Sequence, residues 1–229
     1  VHGLVLGLAA RQADRAQGLM ACILITESNR GIGATLAARA EDFGHEVLRA
    51  SRARQGDDVI FDVSNPQQVQ DAISAINHPI DIVINNAGII GPDSLTTDMD
   101  WTAMAYTIAV NVAGALAVST ACLDHLRRSS RPRILTVSSQ MSYMGYTKSD
   151  RIAYRTCKAG ANKVMQSLAT DLHPNGMAVV LVDLGWEKTH MGGAEADLTP
   201  CEFAAGIVAL AETLEFKQTG KFFQRNGEK

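Results

Sequence analysis

Short apolar runs alternate with longer stretches in which apolar residues recur every three or four positions, from residue 21 to near the C-terminus. Short β-branched runs are typical of strands, and the three-to-four spacing is typical of amphipathic helices. Strands are predicted at 21–26, 46–50, 59–61, 80–85, 133–138, 178–183 and 221–223. Helices are predicted at 32–43, 66–76, 100–127, 154–172 and 200–214.

This alternation of strands and helices indicates βαβ units and therefore a parallel sheet. Several predicted strands are apolar on both sides, as strands covered on both faces are. Right-handed crossovers then give a single α/β domain, a doubly wound parallel sheet of about seven strands with helices on both faces. In such a sheet, ligands bind at the carboxyl ends of the strands, near the point where the strand order reverses.

Chain length and charge narrow the class of protein. A chain of 229 residues is long enough for one domain with a substantial core. A net charge of −3 and a pI of about 6.1 provide no basic field of the kind that binds a phosphate backbone, so nucleic acid is not expected as a partner. No apolar run approaches the roughly 18 residues needed to cross a bilayer, so a soluble chain without a membrane partner is expected.

Residues 1–19 differ from the rest of the chain. Positions 3–10 are apolar and 11–17 are polar, without the basic start of a signal peptide, and Met20 directly precedes the first predicted strand. We interpret 1–19 as an N-terminal extension, disordered or introduced by cloning, ahead of a domain at 20–229. The alternative is an amphipathic arm that contacts a partner.

The cysteines and histidines show no ligand pattern. The four cysteines form no C-x-x-C pair and are expected to be small core residues in a reducing compartment. Six histidines lie far apart, without a helical pair or a His/carboxylate cluster at ligand spacing. The sequence therefore predicts no metal site.

The strongest chemical signal is a Tyr and a Lys one helical turn apart, Tyr154 and Lys158. A free Tyr has a pKa near 10, and an ammonium within about 4 to 6 Å favours the phenolate and lowers that pKa. The pair can therefore transfer a proton. The alternative is two side chains on an exposed helix face.

Further polar and glycine motifs follow the predicted strands in order. A turn containing Gly31 and Gly33 opens the first helix, where backbone amides can hold a pyrophosphate, although an ordinary helix entry remains the alternative. The other motifs are Asp62 after the third strand, Asn85-Asn86-Ala87-Gly88 at the end of the fourth, Asn111 in the long helix, Ser138-Ser139 at the end of the fifth and Gly185 after the sixth.

Together these motifs resemble the short-chain dehydrogenase/reductase family, from about residue 21 to the C-terminus. Within it, Tyr-Arg-Thr-Cys-Lys at 154–158 and the stretch 185–193 are most similar to carbonyl reductases of the C-factor and sniffer type. The resemblance implies a Rossmann-like fold and a catalytic set in which Tyr154 is the acid/base, Lys158 lowers its pKa, Ser139 holds the substrate oxygen and Asn111 anchors a water relay. Ser138 and Ser142 are the alternatives to Ser139.

The resemblance also implies a set of cofactor contacts: Thr26, Ser28, Asn29, Arg30, Gly31, Ile32, Gly33, Ser51, Arg52, Asp62, Val63, Asn86, Ala87, Gly88, Gly185 and Thr189. The second strand lacks the terminal acid that binds the ribose of NAD, and Arg30 and Arg52 favour the 2′-phosphate of NADP(H). The alternative is that Arg30 and Arg52 are simply solvated surface residues. Asp62 has a rival interpretation as a helix-capping turn residue.

The chain departs from the family pattern at three places. Glu27 replaces a turn glycine and brings a negative charge towards the phosphates, unless it turns away and pairs with Arg30. Leu184 replaces a proline. An insertion at 144–150 is expected to bulge over the site, and 186–197 is interpreted as a lid with a hinge at Gly192-Gly193.

The expected function is that of a cytoplasmic, NADP(H)-dependent oxidoreductase that interconverts a small-molecule carbonyl and an alcohol. Two helix faces are expected to pair into a homodimer or homotetramer, as in related proteins. The alternative is a non-catalytic nucleotide-binding sensor or signalling protein on the same fold.

Overall fold

The structure is a computed structural model, which describes residues 20–53, 59–93, 99–145, 147–183, 185 and 199–224. Its strands are β1 (Cys22–Thr26), β2 (Glu46–Ser51), β3 (Val59–Ile60), β4 (Ile82–Asn85), β5 (Arg133–Ser138), β6 (Ala178–Asp183) and β7 (Phe222–Phe223). All pair in parallel in the order β3-β2-β1-β4-β5-β6-β7. The predicted doubly wound, Rossmann-like α/β domain is confirmed.

Helices connect the strands across both faces of the sheet. They are α1 (Gly31–Asp42), α2 (Pro66–Ser74), α3 (Trp101–Ile108), α4 (Ala115–Ala121), α5 (Leu123–Leu126), α6 (Ile152–Asp171) and α7 (Pro200–Thr213), with a π-helical segment (Ala109–Gly114) between α3 and α4. Three short 3-10 helices occupy Gln140–Ser142, His173–Asn175 and Phe216–Gln218.

The core lies on both sides of the sheet because successive strand residues point to opposite faces. In β1, Leu24 packs into a cluster with α2, α4 and α6, whereas Ile25 packs into a second cluster with α1 and α7. The central strands β1, β4, β5 and β6 are buried on both sides, as the apolar runs predict, whereas β2, β3 and β7 are only partly buried.

The chain reverses its direction across the sheet between β1 and β4. β2 and β3 lie on one side of β1, and the chain then crosses back so that β4 pairs with β1 on its other side. This switch point leaves a crevice at the carboxyl ends of the two strands, where ligands bind in sheets of this kind.

The largest departure from the predicted elements is in the long helix expected at 100–127. It is divided into α3, the π-helical segment, α4 and α5, with a break at Cys122. Several other bounds differ by one or two residues. For example, β4 begins at Ile82, although Ile80 is buried, and α6 begins at Ile152.

The helical stretch Trp101–Ala121 is the one helix in the described chain that is long and apolar enough to cross a membrane, with a mean hydropathy of 1.5. Polar residues such as Thr107 and Asn111 interrupt this stretch, so it contains no continuous apolar run of the length considered in the sequence analysis. The apolar character has a structural reason within the domain, because this stretch packs on both α2 and α6.

The cysteine prediction is correct for the three thiols that are buried, Cys22, Cys122 and Cys157, and wrong for Cys201, which is exposed. The predicted extension at 1–19 lies outside the described residues.

Candidate active site

The loops that follow β1 and β4 are joined by hydrogen bonds at the switch point. Thr26 Oγ1 accepts from the backbone amides of Asn86 and Ala87 at 3.0 and 2.9 Å. Asn86 Nδ2 in turn donates to the Thr26 carbonyl at 3.0 Å. These bonds fix the two loops in one arrangement at the carboxyl edge of the sheet.

The glycine turn needs glycine at two positions for different reasons. Gly31 has a φ of +52°, in the left-handed region. A Cβ on Gly33 would lie 2.0 Å from the Glu27 carbonyl oxygen, so no larger residue fits this turn. The first amides of α1 have no partner within the helix and face the turn, which makes this end of α1 suited to an anion.

Glu27 occupies the position of the family glycine and takes its backbone conformation, with a φ of +54°. Its carboxylate pairs with the Arg30 guanidinium and also accepts a hydrogen bond from the Gly88 amide at 3.2 Å. The pairing with Arg30 therefore occurs, but the side chain does not turn away. It links the glycine turn to the loop after β4.

A groove of about 200 Å³, open to solvent, runs across the ends of β1, β2 and β3. Its lining includes the predicted contacts Asn29, Arg30, Ser51, Arg52, Asp62, Val63 and Ala87, together with Glu27 and Tyr106. Ser28 does not line it, because this buried side chain donates instead to the Ala50 carbonyl.

The two arginines predicted to bind phosphate lie at this groove. The Arg52 guanidinium is 3.8 Å from Asp62 Oδ2 and 3.4 Å from the Tyr106 hydroxyl, and its side chain is 63% exposed. Arg49, by contrast, makes two hydrogen bonds to Glu41. Arg52 is thus loosely held and Arg49 is committed to a structural pair.

Asp62 fits both interpretations made from the sequence. Its Oδ1 accepts from the backbone amide and the hydroxyl of Ser64 at 2.8 and 2.7 Å, as a turn-capping residue does. The same residue lines the groove. The turn also places Val63 against the close-packed Gly114.

Tyr154 and Lys158 are both buried in α6. Lys158 Nζ donates to the Val137 carbonyl at 2.7 Å and lies 5.4 Å from the centroid of the Tyr154 ring. A Cβ on Gly88 would lie 3.7 Å from Lys158 Nζ and 3.3 Å from Asn111 Oδ1. Three motifs distant in sequence therefore meet beside Gly88.

Asn111 lies in the π-helical segment, and its amide clamps the loop after β4. Its Oδ1 accepts from the Ile89 amide at 2.8 Å, and its Nδ2 donates to the Ile89 carbonyl at 2.7 Å. The side chain thus positions the loop that carries Gly88. A role in a water relay stays a prediction.

The hydrogen bonds of the three candidate serines favour Ser139. Ser138 donates to Asn162 Oδ1 at 2.5 Å, and Ser142 accepts from Asn162 Nδ2 at 2.8 Å while donating to the Ser139 carbonyl at 2.6 Å. Ser139 Oγ accepts from the Met141 amide at 3.2 Å, and this hydroxyl donates to no other residue of the described chain. Its proton is therefore available to a substrate oxygen.

Two residues of the site have no role in the sequence prediction. Asn162 forms hydrogen bonds with Ser138 and Ser142, the two alternatives to Ser139. Asp183, at the end of β6, accepts from the amides of Gln140 and Gly185 at 2.8 and 3.1 Å. The sequence does contain a signal for Asp183, because this residue is an acid at the end of an otherwise apolar strand. Asn162 lies within a helix and gives no comparable signal.

The pKa of Tyr154 does not follow the sequence expectation. Burial, followed by the negative charge of Asp183, raises the pKa of Tyr154 to about 12, although Arg151 opposes the change. Burial also lowers the pKa of Lys158 from 10.5 to about 8, against the opposing charges of Cys157 and Glu27. The expected lowering of the Tyr154 pKa by Lys158 is not seen, because burial dominates both groups.

The last part of the predicted site is incompletely described. Gly185 has a φ of +72°, so this position favours glycine even though Leu184 replaces the family proline before it. Thr189, Trp186 and the interpreted lid with its glycine hinge lie outside the described residues. Met144, the first residue of the insertion, is 87% exposed, and Tyr143 before it is 65% exposed.

Comparison with known sequences identifies a family. A sequence profile described as short chain dehydrogenase matches residues 21–198. The C-signal protein of Myxococcus xanthus is 36% identical over 157 residues, which cover 68% of this chain and 95% of that protein. The 3-oxoacyl-acyl-carrier-protein reductase FabG of Escherichia coli is 27% identical over 203 residues, 81% of this chain and 80% of that protein.

Solved structures show the same architecture. The carbonyl reductase Sniffer of D. melanogaster superimposes with a TM-score of 0.85 at 26% identity, covering 91% of this chain and 98% of that one. An NADPH-bound carbonyl reductase from chicken fatty liver superimposes with a TM-score of 0.83 at 22% identity, again over 91% and 98% of the two chains. At the lower identity the likeness concerns the fold alone.

Proposed function

The chain belongs to the short-chain dehydrogenase family of oxidoreductases, and from this membership we propose that it interconverts a carbonyl and an alcohol with NADP(H). One observation carries the proposal: Lys158 and Asn111 converge beside Gly88, with the Tyr154 ring next to the ammonium. This arrangement joins an acid, a cation and a backbone clamp at the end of the sheet where a cofactor is expected.

The carboxyl edge of the sheet, where a cofactor is expected, suits a dinucleotide. Gly33 packs closely against Glu27 and Asn86, which fixes the start of α1 at the turn, and the first amides of a helix suit a pyrophosphate. Arg52 lines the groove and is largely exposed, which suits it to a 2′-phosphate, and Arg30 lines the same groove. The NADPH-bound state of the avian carbonyl reductase, a protein of the same fold, agrees with this choice of cofactor.

When bound, NADP(H) supplies the hydride. Tyr154 donates the proton that the reduced oxygen needs, and its raised pKa keeps the phenol protonated at neutral pH. Ser139 donates a hydrogen bond to the same oxygen from its uncommitted hydroxyl. Lys158 stabilises the phenolate that remains, and Asn111 holds the Ile89 loop in place.

Tyr154→Phe tests this mechanism because it removes the transferable proton and little else. We expect turnover to fall by roughly two to four decades, with NADPH affinity unchanged within a few-fold. NADPH consumption with a panel of aldehydes, ketones and quinones measures the first quantity, and a cofactor titration measures the second. Turnover close to that of the unmodified protein would exclude Tyr154 as the acid.

A matched pair of variants separates the serines. Ser139→Ala is expected to lower turnover more than Ser138→Ala, because Ser138 is engaged with Asn162 and Ser139 is not. A larger effect of Ser138→Ala would reassign the substrate contact.

The second candidate function is a non-catalytic nucleotide-binding sensor or signalling protein. The observation in its favour is the 36% identity to the C-signal protein. Binding of NADPH without turnover of any carbonyl in the panel would favour this alternative. The clustered Tyr154 and Lys158 favour the enzyme.

The proposal also covers the location, the substrate type and the assembly of the protein. We propose a cytoplasmic, carbonyl reductase-type enzyme that acts on a small molecule, without nucleic acid, as a homodimer or homotetramer. Trp101 and Ile108 expose 73% and 41% of their surfaces along α3, which gives an apolar face for self-association. Sedimentation of the unmodified protein and of Ile108→Glu measures that assembly.

A further inference from the structure

A cluster of potential metal ligands lies at the amino end of the sheet, away from the candidate active site. Cys22 is the first residue of β1 and Glu46 the first of β2, and the two are paired in register. His78 lies in the segment between α2 and β4. One ligand atom from each residue lies within 4.8 Å of the other two. The fold thus unites three residues that show no ligand spacing in the sequence.

The distances within this cluster are close to those of a metal centre. Cys22 Sγ is 3.8 Å from His78 Nδ1, and Glu46 Oε1 is 3.5 Å from His78 Nε2. Zinc binds sulfur at about 2.3 Å and nitrogen or oxygen at about 2.0 to 2.2 Å, which places tetrahedral ligands roughly 3.3 to 3.8 Å apart. These two distances involve different nitrogens of the ring, and one ion binds only one of them. The partly exposed Glu46 side chain must therefore move towards the nitrogen beside Cys22 when an ion binds.

The backbone around the cluster is fixed by further hydrogen bonds. Asp81 Oδ2 accepts from the Cys22 amide at 2.8 Å, and Asp81 Oδ1 accepts from the Ser129 hydroxyl at 2.7 Å. On the other side, His125 Nδ1 lies 2.9 Å from the His78 carbonyl oxygen. Such supports reduce the cost of orienting ligands for a metal.

Exposure differs among the three ligands in a way that permits entry of an ion. Cys22 is fully buried, whereas the side chains of His78 and Glu46 are 39% and 30% exposed. An ion bound here would have the thiolate on its core side and solvent on the other. A water molecule can then complete a four-coordinate shell.

We propose that Cys22, Glu46 and His78 bind a divalent cation of zinc type. A thiolate and a carboxylate neutralise its two charges, and the mixture of sulfur, nitrogen and oxygen ligands suits a borderline-soft ion. The site lies about 13 Å from the carboxyl end of β1, at 3.3 Å per residue. Its role is therefore structural: it ties β1, β2 and the segment before β4 together, and it is independent of the proposed oxidoreductase activity.

Cobalt provides a direct spectroscopic test, because a thiolate bound to Co²⁺ gives a near-ultraviolet charge-transfer band. The full chain carries Cys201→Ser to remove its exposed thiol and is treated with a chelator before titration with Co²⁺. We expect one Co²⁺ per chain with this band, and its loss in Cys22→Ser. Cys157→Ser is the control, since this thiol is also buried but lies in α6 beside Lys158 and should leave the band intact.

The half-exposed ligands provide a second test that does not depend on a substitution inside β1. His78→Asn and Glu46→Gln are expected to weaken Zn²⁺ binding at least tenfold in competition with a chromophoric chelator. Zn²⁺ should raise the Tm of the unmodified protein by several degrees and leave the Tm of these variants unchanged, because a ligand stabilises only the state that binds it. His173→Asn, in a separate 3-10 helix, is the control.

Two results would overturn the site. The first is absence of saturable Co²⁺ or Zn²⁺ binding by the unmodified protein, which would leave the cluster as a hydrogen-bonded Cys-His-Glu chain. The second is binding that survives Cys22→Ser and His78→Asn with the same affinity, which would place the ion elsewhere.

Discussion

Glu27 combines two properties that oppose each other at one residue. Its backbone adopts the left-handed conformation that glycine adopts without cost, and its carboxylate extends towards the Gly88 amide. The charge therefore lies between two loops whose amides face the expected position of cofactor phosphates. Arg30 compensates part of this charge.

Glu27→Gly is expected to tighten NADPH binding by roughly tenfold. Two charges about 4 Å apart interact by about 1 kcal/mol in water and about 4 kcal/mol near a protein surface, and about 1.4 kcal/mol corresponds to tenfold. The gain should be smaller at high salt, since salt screens exposed charges. Titration of NADPH at low and high salt measures both effects.

Glu27→Gln is the matched control for that experiment. Glutamine retains the backbone strain and an acceptor for the Gly88 amide but removes the charge, so it should reproduce the salt-dependent part of the gain. Weaker binding by the glycine variant would mean that the carboxylate supports the site.

Arg52 is expected to set the preference for NADPH over NADH. Its guanidinium lies at the groove with only long contacts to Asp62 and Tyr106, so it can turn to a 2′-phosphate. A hydrogen bond between charged groups contributes about 1.5 to 3 kcal/mol, so Arg52→Ala should reduce the preference by tenfold or more. The ratio of the two dissociation constants is the measurement.

Arg49→Ala is the comparison variant, because Arg49 is bound to Glu41 and should leave the cofactor ratio unchanged. Equal affinity of the unmodified protein for NADPH and NADH would contradict the assignment of Arg30 and Arg52 to the phosphate.

The sequence predicts the role of a residue when that role depends on spacing along the chain. It does not predict a role that depends on how separate elements pack. Tyr154 and Lys158 are one turn apart in any helix, so their proximity needs no knowledge of the fold. Asn162 acts only because α6 passes beside Ser138 and Ser142, which lie in other segments. The pKa of Tyr154 likewise depends on burial, which residue spacing alone does not specify.

At the scale of elements, the turn between β1 and α1 depends on the absence of a side chain at Gly33. We expect Gly33→Ala to lower the Tm and to weaken NADPH binding at least tenfold, because the added Cβ would lie 2.0 Å from the Glu27 carbonyl and must displace the turn. Thermal unfolding and a cofactor titration measure the two effects.

Gly160→Ala is the control for this turn. Gly160 lies within α6, where an added Cβ would be 3.6 Å from Val112, an ordinary contact. Alanine is favoured over glycine in a helix by about 1 kcal/mol, so this variant should raise the Tm. Equal tolerance of both substitutions would show that the turn can rearrange.

The elements that the sequence predicted best are those with a strong periodic pattern and a clear boundary. The six-residue strands β5 and β6 match their predictions in full, because each is an apolar run between polar segments. The helix at 100–127 was predicted as continuous because its apolar positions continue through Ala109–Gly114. A π-helical turn changes the hydrogen bonding of the backbone and leaves the composition of the segment unaltered.

At the scale of the whole molecule, the pH dependence of stability contains a contribution from Lys158. Burial lowers the pKa of this group from 10.5 to about 8, so the unfolded chain binds more protons than the folded one between these values. Stability therefore rises with pH across this interval from this group alone, and at pH 7 its charge costs at most about 3 kcal/mol.

Lys158→Met removes the buried charge while retaining an unbranched side chain. The free energy of unfolding of the variant should exceed that of the unmodified protein by a larger amount at pH 7 than at pH 10. Loss of the hydrogen bond to the Val137 carbonyl reduces this gain. Denaturant unfolding of both proteins at the two pH values measures this difference. A difference independent of pH would mean that Lys158 is not buried as a charged group.

The π-helical segment makes the length of one helix as important as its composition. A π turn is equivalent to an α-helix with one residue inserted, and each residue of an α-helix turns the chain by about 100°. Loss of a single residue within Ala109–Gly114 would therefore convert the segment to regular α-helix, with the flanking helices still in phase, and would remove the wider turn that places Asn111 against Ile89. In the evolution of such a chain, many substitutions here are tolerable, whereas a one-codon deletion would keep the helix and dismantle the site.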